Sequence, residues 1–375
     1  MGFFSSGTNT IALIDIGSSS IGGGYATIEK NGTPRLRYVA RVPIELHDRE
    51  LLTMDMLKAL DVLGKKLIQE GAPALRKAVG SGTIDKVLVS IGSPWQDTTI
   101  RSAVIEKETP FTFTKSILHE AVEEGAEHTE GRVTTGEYVI ATLLNGYETR
   151  HPFGKQATRA ELVILSSTIE SSMTETVLTS LRHIYHTRDI KLTAFAPVSY
   201  TVLRDLYPHE KDFMIVHVSG ESTDLALVKR GVLVDVASVN GGFNALARAA
   251  RKGRPLSMTA DGKSLPVGEE EAPLPTAKGE WLSSLALALR EFASRRALPR
   301  TLFLLADDEA REHVARMLND EGLRSLWLSD EPLTIIPSLP QHLSSYLTCD
   351  QGCDSDLFLS MLALSLERTA GIATT

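Results

Sequence analysis

The feature that most constrains the fold of this chain is a strand–turn–strand pattern that occurs twice, far apart in the sequence. The first copy is an apolar, β-branched run over 10–16, a turn of small and polar residues, and renewed apolar character from Tyr25. The second copy has an apolar run over 213–218, a polar turn over 219–224 and more apolar residues over 225–228. Each copy is typical of a buried strand, a tight turn and a second strand. Repetition at this distance indicates a duplicated domain, because solenoid units recur roughly every 20 to 50 residues.

Strands and helices alternate along the rest of the chain. Apolar residues at helical spacing, with Thr114 as an N-cap for the second helix, predict helices over 54–70, 115–124, 170–186, 281–298, 309–318 and 356–369. Further strands are predicted over 86–91, 98–105, 138–144, 160–165, 190–195 and 301–305, with short strands near 326 and 335. This alternation favours α/β layers joined by crossover connections.

The chain is long enough for more than one core, since single cores stop growing at roughly 250 to 300 residues. We predict a first domain over 1–82 and 169–210, interrupted by an inserted subdomain over 83–168. A second domain is predicted over 211–375. Within it, the segment 251–279 is rich in Gly, Pro and charge and has no apolar period, so we interpret it as a loop or a reduced small subdomain.

Composition excludes several classes of protein. The chain has 39 basic and 47 acidic residues and no basic stripe, so a nucleic-acid partner is not expected. No apolar run approaches the roughly 18 residues that span a bilayer, and we expect a cytoplasmic location. Cys349 and Cys353 are the chain's two cysteines, too few for a disulfide framework or a zinc site, and we interpret them as free thiols.

The first turn has the residue types that a phosphate-binding hairpin needs. It contains Asp15, Gly17 and the three serines Ser18, Ser19 and Ser20. Small residues let backbone N–H groups approach an anion, hydroxyls donate to its oxygens, and a carboxylate can hold hydrated Mg²⁺. An ordinary β-turn uses the same residues, so the first turn alone leaves both interpretations open.

The second turn strengthens the phosphate interpretation because it belongs to the other half of the duplication. Its candidate residues are Gly220, Ser222, Thr223 and Asp224, followed by the pair Gly241 and Gly242 where a helix is expected to begin. The two turns resemble the phosphate motifs of the bacterial FtsA and PilM families of the actin-like ATPase superfamily. The resemblance covers residues 10 to about 250 and implies an α/β, duplicated actin-like (ribonuclease H-like) fold. It also implies ATP held between the turns, with Mg²⁺ at Asp15.

FtsA is the nearest resemblance of the chain as a whole, although different parts of the chain resemble different families. The inserted segment, with Asn145-Gly146, Pro152-Phe-Gly154 and the strand 160–165, is similar to the subdomain of FtsA. The runs 18–21 and 220–223 are more similar to PilM. The FtsA resemblance implies a cell-division scaffold linking partners at the inner face of the membrane, among them the tail of a tubulin-like division protein. The PilM alternative implies a type IV pilus assembly adaptor that captures the tail of a membrane pilus protein.

Three departures from these families predict weak or lost ATP hydrolysis, and thus a degenerate ATPase. His217 stands where the second phosphate motif has Asp, and Glu221 replaces a glycine. Ala306 and Asp307 stand where the families have the Gly-Gly pair that admits adenosine. An alternative interpretation is that His217 only fills the end of a core strand and takes no part in a phosphate site. An active, polymerising ATPase that self-associates stays open as a third function, whereas no motif for a sugar kinase is found.

The last predicted helix bears on membrane contact. FtsA-like proteins end in an amphipathic helix that lies on the membrane. Here the helix over 356–369 is apolar on several sides, which is typical of a buried helix. We therefore expect membrane contact to come through a partner or through Phe3 and Phe4.

Overall fold

The computed structural model of the chain describes residues 9–28, 32–125, 129–149, 151–185, 187, 189–251, 273–327 and 333–368. The predictions for Phe3 and Phe4, and for most of the segment 251–279, lie outside these residues. The strands are β1 (Thr10–Ile16), β2 (Ser20–Ile28), β3 (Pro34–Pro43), β4 (Lys86–Ile91), β5 (Gln96–Thr112), β6 (Arg132–Leu144), β7 (Tyr147–Glu148), β8 (Gln156–Glu170), β9 (Ile190–Ala194), β10 (Phe213–Val218), β11 (Ser222–Lys229), β12 (Val232–Asn240), β13 (Thr301–Ala306), β14 (Thr334–Pro337) and β15 (Thr348–Cys349). The helices are α1 (Leu52–Lys66), α2 (Ala72–Val79), α3 (Lys115–Glu124), α4 (Ser171–Tyr185), α5 (Phe195–Leu206), α6 (Phe243–Arg251), α7 (Pro273–Arg295), α8 (Asp308–Leu318), α9 (Glu321–Arg324) and α10 (Leu357–Arg368).

The strands form three sheets, two of which repeat one arrangement. The first sheet has the order β15-β3-β2-β1-β4-β9, and the second has the order β12-β11-β10-β13-β14. In each, a three-strand antiparallel meander is followed by a strand parallel to its first member: β4 beside β1, and β13 beside β10. The predicted α/β fold and its duplication are therefore confirmed.

The two halves are packed through a shared core. One face of the first sheet is covered by α1 and α4, through residues such as Met56, Leu60 and Val177. Its other face contacts α5 and α10, whose apolar residues also pack on the second sheet at Phe213 and Phe303. The outer face of the second sheet is covered by α7 and α8. Helices thus lie on both faces of each sheet, as the near-continuous apolar character of β1 and β10 requires.

Two predicted boundaries differ from the structure. Strand β4 belongs to the first sheet, so the inserted sheet begins at Gln96 and not at residue 83. At the other end of the chain, β15 pairs with β3, and α10 packs on β1, β2 and α5. Residues 348–368 thus pack on the first sheet, whereas the predicted domain bounds group them with the second half. Both differences arise from pairings between segments far apart in the sequence, which no single segment reveals.

Local signals were more reliable than boundaries. The inserted sheet, of order β5-β8-β6-β7, is covered by α3, and Thr114 caps that helix by accepting a hydrogen bond from the Ile117 amide at 3.3 Å. In contrast, the predicted strand near Leu326 is a turn, and residues 273–279 belong to α7. Among the described residues, no helix is both long and apolar enough to cross a membrane.

Candidate functional site

The two predicted turns face each other and are in direct contact. Each is closed by the same bond, from the Gly17 amide to the Ser20 carbonyl at 3.1 Å, and from the Ser219 amide to the Ser222 carbonyl at 3.0 Å. The hydroxyls of Ser18 and Ser219 lie 2.8 Å apart. The Glu221 amide donates to the Ser18 hydroxyl at 2.9 Å. Groups that were predicted to surround a phosphate therefore bond to one another.

Glycine is required where these backbones approach. A Cβ atom on Gly220 would lie 2.5 Å from the carbonyl oxygen of Ser18, and one on Gly242 would lie 2.2 Å from the carbonyl oxygen of Ser219. Gly241, with φ of +107°, turns the chain from β12 into α6. These glycines allow the two turns to touch each other and allow the start of α6 to pack against the second turn. That role differs from the predicted one, in which they would leave room for a phosphate.

Arg41 of β3 occupies the position beside Asp15 that was predicted for Mg²⁺. Its Nη2 lies 3.0 Å from an Asp15 oxygen, and its Nε lies 2.5 Å from Asp356, which also caps α10. Its Nη1 donates to the Ser20 hydroxyl at 2.8 Å. The other Asp15 oxygen accepts a hydrogen bond from Ser90 at 2.8 Å. Both oxygens of the predicted metal ligand are thus already engaged.

The two carboxylates that share Arg41 have pKa values shifted in opposite directions. Burial raises the pKa of Asp15 above its ordinary value, an effect that Arg41 and Ser90 only partly offset. Burial also opposes ionisation of Asp356, but the Arg41 guanidinium and backbone amides hold the pKa of that carboxyl below its usual range. Asp356 is therefore the principal ion-pair partner of Arg41.

Asp307 accepts the hydroxyls that were assigned to phosphate. Its Oδ2 lies 2.5 Å from the Ser19 hydroxyl and 3.1 Å from the Ser20 hydroxyl. The sequence predicted that this residue would crowd adenosine, but its carboxylate instead lies on the first turn. Asp307 comes from the second half of the molecule, so this bond also holds the two halves together.

Glu221, which replaces a glycine of the family pattern, has an ion-pair partner within the protein. Its side chain is buried and forms a two-point ion pair with Arg248 of α6, at 2.7 and 2.6 Å. Arg248 also donates to the carbonyl of His47 at 3.4 Å, in the segment after β3. The extra charge is neutralised within the protein and contributes to contact between the halves.

His217 fills the end of β10, consistent with the core-histidine interpretation. Its ring packs on Phe195 and Phe358, with centroid distances of 4.8 and 5.6 Å. Its Nδ1 lies 3.6 Å from Oδ2 of Asp224. The other oxygen of Asp224 accepts a hydrogen bond from Ser93 at 2.8 Å, so this predicted phosphate-site residue points towards the first domain.

The hydroxyls of Ser222 and Thr223 make no bond to the first turn among the described residues. The Thr223 hydroxyl donates to the Gly241 carbonyl and accepts from the Trp281 indole, both at 2.9 Å. The Ser222 hydroxyl is buried, and the structure gives it no hydrogen-bond partner among the described residues. Among the five predicted site residues that carry a hydroxyl, Ser18 alone bonds to the second turn, whereas Ser19 and Ser20 bond to Asp307.

Replacing Thr223 with valine should lower the free energy of unfolding by about 1 to 2 kcal/mol, because the buried Trp281 indole loses its acceptor. Replacing its neighbour Ser222 with alanine should be neutral or slightly stabilising, since it removes a hydroxyl without a partner. Urea unfolding followed by tryptophan fluorescence measures both. Equal effects of the two substitutions would contradict the assigned roles.

The arrangement does not fit Mg²⁺ with ATP. The space between the turns, bordered by Asp15, Gly17, Ser19, Arg41 and His217, is about 290 Å³, part of it open to solvent. The Asp15 carboxylate and the serine hydroxyls are engaged elsewhere, and the turns touch where phosphates would enter. Within the described ranges, the group of side chains close enough to hold a metal ion is Glu45, His47 and Asp55, without Asp15.

Comparison with known proteins identifies the fold. No protein-family model matches the sequence, and no curated protein is significantly similar to it. A chain from the PilM-PilN type IV pilus biogenesis complex is 16% identical, with a TM-score of 0.61 over 95% of this chain and 98% of that chain. A Bacteroides thetaiotaomicron protein with actin-like ATPase fold and unknown function is 10% identical, with a TM-score of 0.42 over 97% of this chain and 98% of that one. The ethanolamine utilization protein EutJ from Carboxydothermus hydrogenoformans is 11% identical, with a TM-score of 0.42 over 97% and 93%. The chain has the actin-like ATPase fold.

Proposed function

We propose that this chain is a PilM-like adaptor that holds a protein partner and has lost the use of ATP. The observation that carries the proposal is that the protein's own charged groups take the metal and phosphate positions between the two turns. The Arg41 guanidinium stands in place of a metal ion, and the Asp307 carboxylate stands in place of a phosphate. An ATPase requires that same space for its substrate.

The energetics of these contacts support the proposal. A nucleotide would have to displace Asp307 from Ser19 and Ser20, and a metal would have to displace Arg41 from Asp15. In addition, the direct contact between Ser18 and Ser219 would be lost. The closed arrangement is therefore expected to be the stable state without a ligand.

Structural similarity to the chain from the PilM-PilN complex favours a pilus adaptor over a division scaffold. The similarity to the chain from the PilM-PilN complex extends over nearly all of both chains, including the inserted subdomain. The serine-rich first turn and the second turn also resemble PilM in sequence. We infer a protein partner, as PilM has in PilN in that complex. We propose that this chain's partner is the tail of a membrane pilus protein, which would bring the chain to the inner face of the membrane.

An FtsA-like scaffold is the second candidate function. The observation that favours it is the inserted subdomain, whose segments 138–140, 145–146 and 160–165 resemble those of FtsA. Its partner would be the tail of a tubulin-like division protein, and self-association would be expected. Labelled peptides of both tails, taken from the genome that encodes this chain, separate the two candidates by fluorescence anisotropy. Preferential binding of the division tail would overturn the pilus assignment.

Calorimetric titration with Mg²⁺ and ATP tests the lost use of nucleotide. We expect no saturable heat at millimolar ATP, both for the natural chain and for Asp15→Ala, because the cleft is occupied. We also expect that partner-tail binding is unchanged by Mg²⁺ and ATP. Micromolar binding that Asp15→Ala abolishes would instead establish a working nucleotide site and would refute the proposal.

A further inference from the structure

A second cavity lies next to His217. It has about 460 Å³ of space, part of it open to solvent, and its walls come from Ser93, the start of β5, the first turn of α5, and strands β10, β11 and β12. His217 and Phe195 line both this cavity and the space between the turns. The cavity, called here the side cavity, therefore lies where the first domain, the inserted subdomain and the second domain meet.

A chain of hydrogen bonds in the side cavity ends on Asp224, the less exposed of the two carboxylates that line it. Oδ1 of Asp224 accepts a hydrogen bond from Ser93, and Ser93 in turn accepts from Gln96 at 3.2 Å. The Thr98 hydroxyl donates to Oε1 of Gln96 at 3.1 Å, which holds the Gln96 amide in place. Oδ2 of Asp224 has no hydrogen-bond donor among the described residues. The Nδ1 atom of His217 lies 3.6 Å from this oxygen, beyond hydrogen-bonding distance.

The remaining wall is largely apolar but includes the Ser199 and Ser238 hydroxyls and the exposed carboxylate of Asp97, and it carries no permanent positive charge. Phe195, Ile215, Leu225 and Val236 contribute much of it, and no lysine or arginine is among the described residues that line the cavity. A partly buried carboxylate with an unused oxygen interacts more strongly with a cation than an exposed one does, because less water screens it. An aromatic wall also attracts a cation, and aliphatic walls pack against the methylene stem of an alkylamine.

We propose that the side cavity binds an alkylammonium cation, with Asp224 as its counter-ion and the Phe195 region as the wall against its stem. The ammonium group replaces the missing donor to Oδ2 and leaves the bond from Ser93 to Oδ1 intact. Both a lysine side chain of a protein partner and a free aliphatic diamine carry this group. The site depends on neither nucleotide nor the identity of the partner tail, so its test is independent of the proposed adaptor function.

Titrating the isotope-labelled full chain with small amines, followed by amide NMR shifts, tests the site. The probes are Nα-acetyl-lysine methylamide, 1,5-diaminopentane, and the uncharged norleucine counterpart of the first. We expect saturable shifts at residues 93–98 and 236–238 with a charged probe, and roughly tenfold weaker or absent binding of the norleucine probe. Tighter binding of the lysine probe would assign the natural ligand to a peptide, and tighter binding of the diamine would assign it to a free amine.

Asp224→Asn is the decisive variant, because its side-chain oxygen can still accept from Ser93 while the charge is removed. We expect it to abolish binding of the charged probes. Asp235→Asn is the matched control, since Asp235 lies on β12, does not line the cavity, and is paired with Arg295 at 3.2 Å. No saturable shift with either amine, equal binding of the norleucine probe, or unchanged binding to Asp224→Asn would overturn the proposal, whatever the result with partner tails.

Discussion

Replacing Arg41 with methionine is expected to lower the free energy of unfolding by about 3 to 5 kcal/mol, because two buried carboxylates lose their shared cation. Asp15 and Asp356 are each less than a tenth exposed, with side-chain values of 7% and 9%. Burial already raises the pKa of Asp15, so without Arg41 this carboxyl should become protonated at still higher pH. Urea unfolding, with the midpoint and slope compared between variants, measures the loss.

Arg159→Met is the matched control for that experiment. The Arg159 side chain is half exposed and lies 3.6 Å from Glu161, so the same chemical change should cost no more than about 1 kcal/mol. A similar loss for both variants would mean that the Arg41 network does not stabilise the closed cleft. Because the chain has several domains, unfolding should be followed by two probes, and only coincident transitions should be converted to free energies.

Gly220→Ala should cost about 3 kcal/mol and open the contact between the turns. The added Cβ would lie 2.5 Å from the Ser18 carbonyl oxygen and 2.6 Å from the Asn244 side chain, and a backbone atom cannot move aside cheaply. Relief requires the two turns to separate. We therefore expect faster hydrogen exchange in peptides that contain the amides of Ser18 and Glu221, in addition to the loss of stability.

Gly279→Ala provides the control for the glycine substitution. Gly279 lies in α7, and no atom lies within 4 Å of a Cβ built on it. Alanine there should be neutral or stabilising by roughly 0.5 to 1 kcal/mol through helix propensity. If Gly220→Ala left both stability and exchange unchanged, the turns would not be in contact in solution.

The sequence predicted what depends on neighbours along the chain. The duplicated hairpins and the cap at Thr114 follow from apolar periodicity and turn chemistry, which act over a few residues. The helix expected over 54–70 was only partly right, because α1 continues through a π-helical turn over Leu67–Gly71 into α2. That irregularity places Gly71 against the rings of Tyr25 and Tyr38, a contact that no local pattern reveals.

The site residues that were missed are the ones whose roles depend on distant partners. Arg41 lies on a strand with mixed burial and looks like a solvated cation, yet its carboxylates are at positions 15 and 356. Asp307 was recognised as a departure from the family pattern, but nothing in the sequence indicated that Ser19 would be its donor. A useful signal was available: an acidic residue in place of a glycine at a phosphate site needs a neutralising partner.

The placement of α10 has a consequence for how the chain reaches its native state. Strands β1, β2 and β3 are made first, but the helix that covers their inner face follows every other described element in the sequence. Contacts between residues so far apart in the sequence form slowly. Until α10 packs, the apolar face of the sheet stays exposed, and such a surface is prone to aggregation. During synthesis on the ribosome, the amino-terminal sheet must therefore stay incomplete, and nascent chains stopped before Leu357 should be strong clients of chaperones.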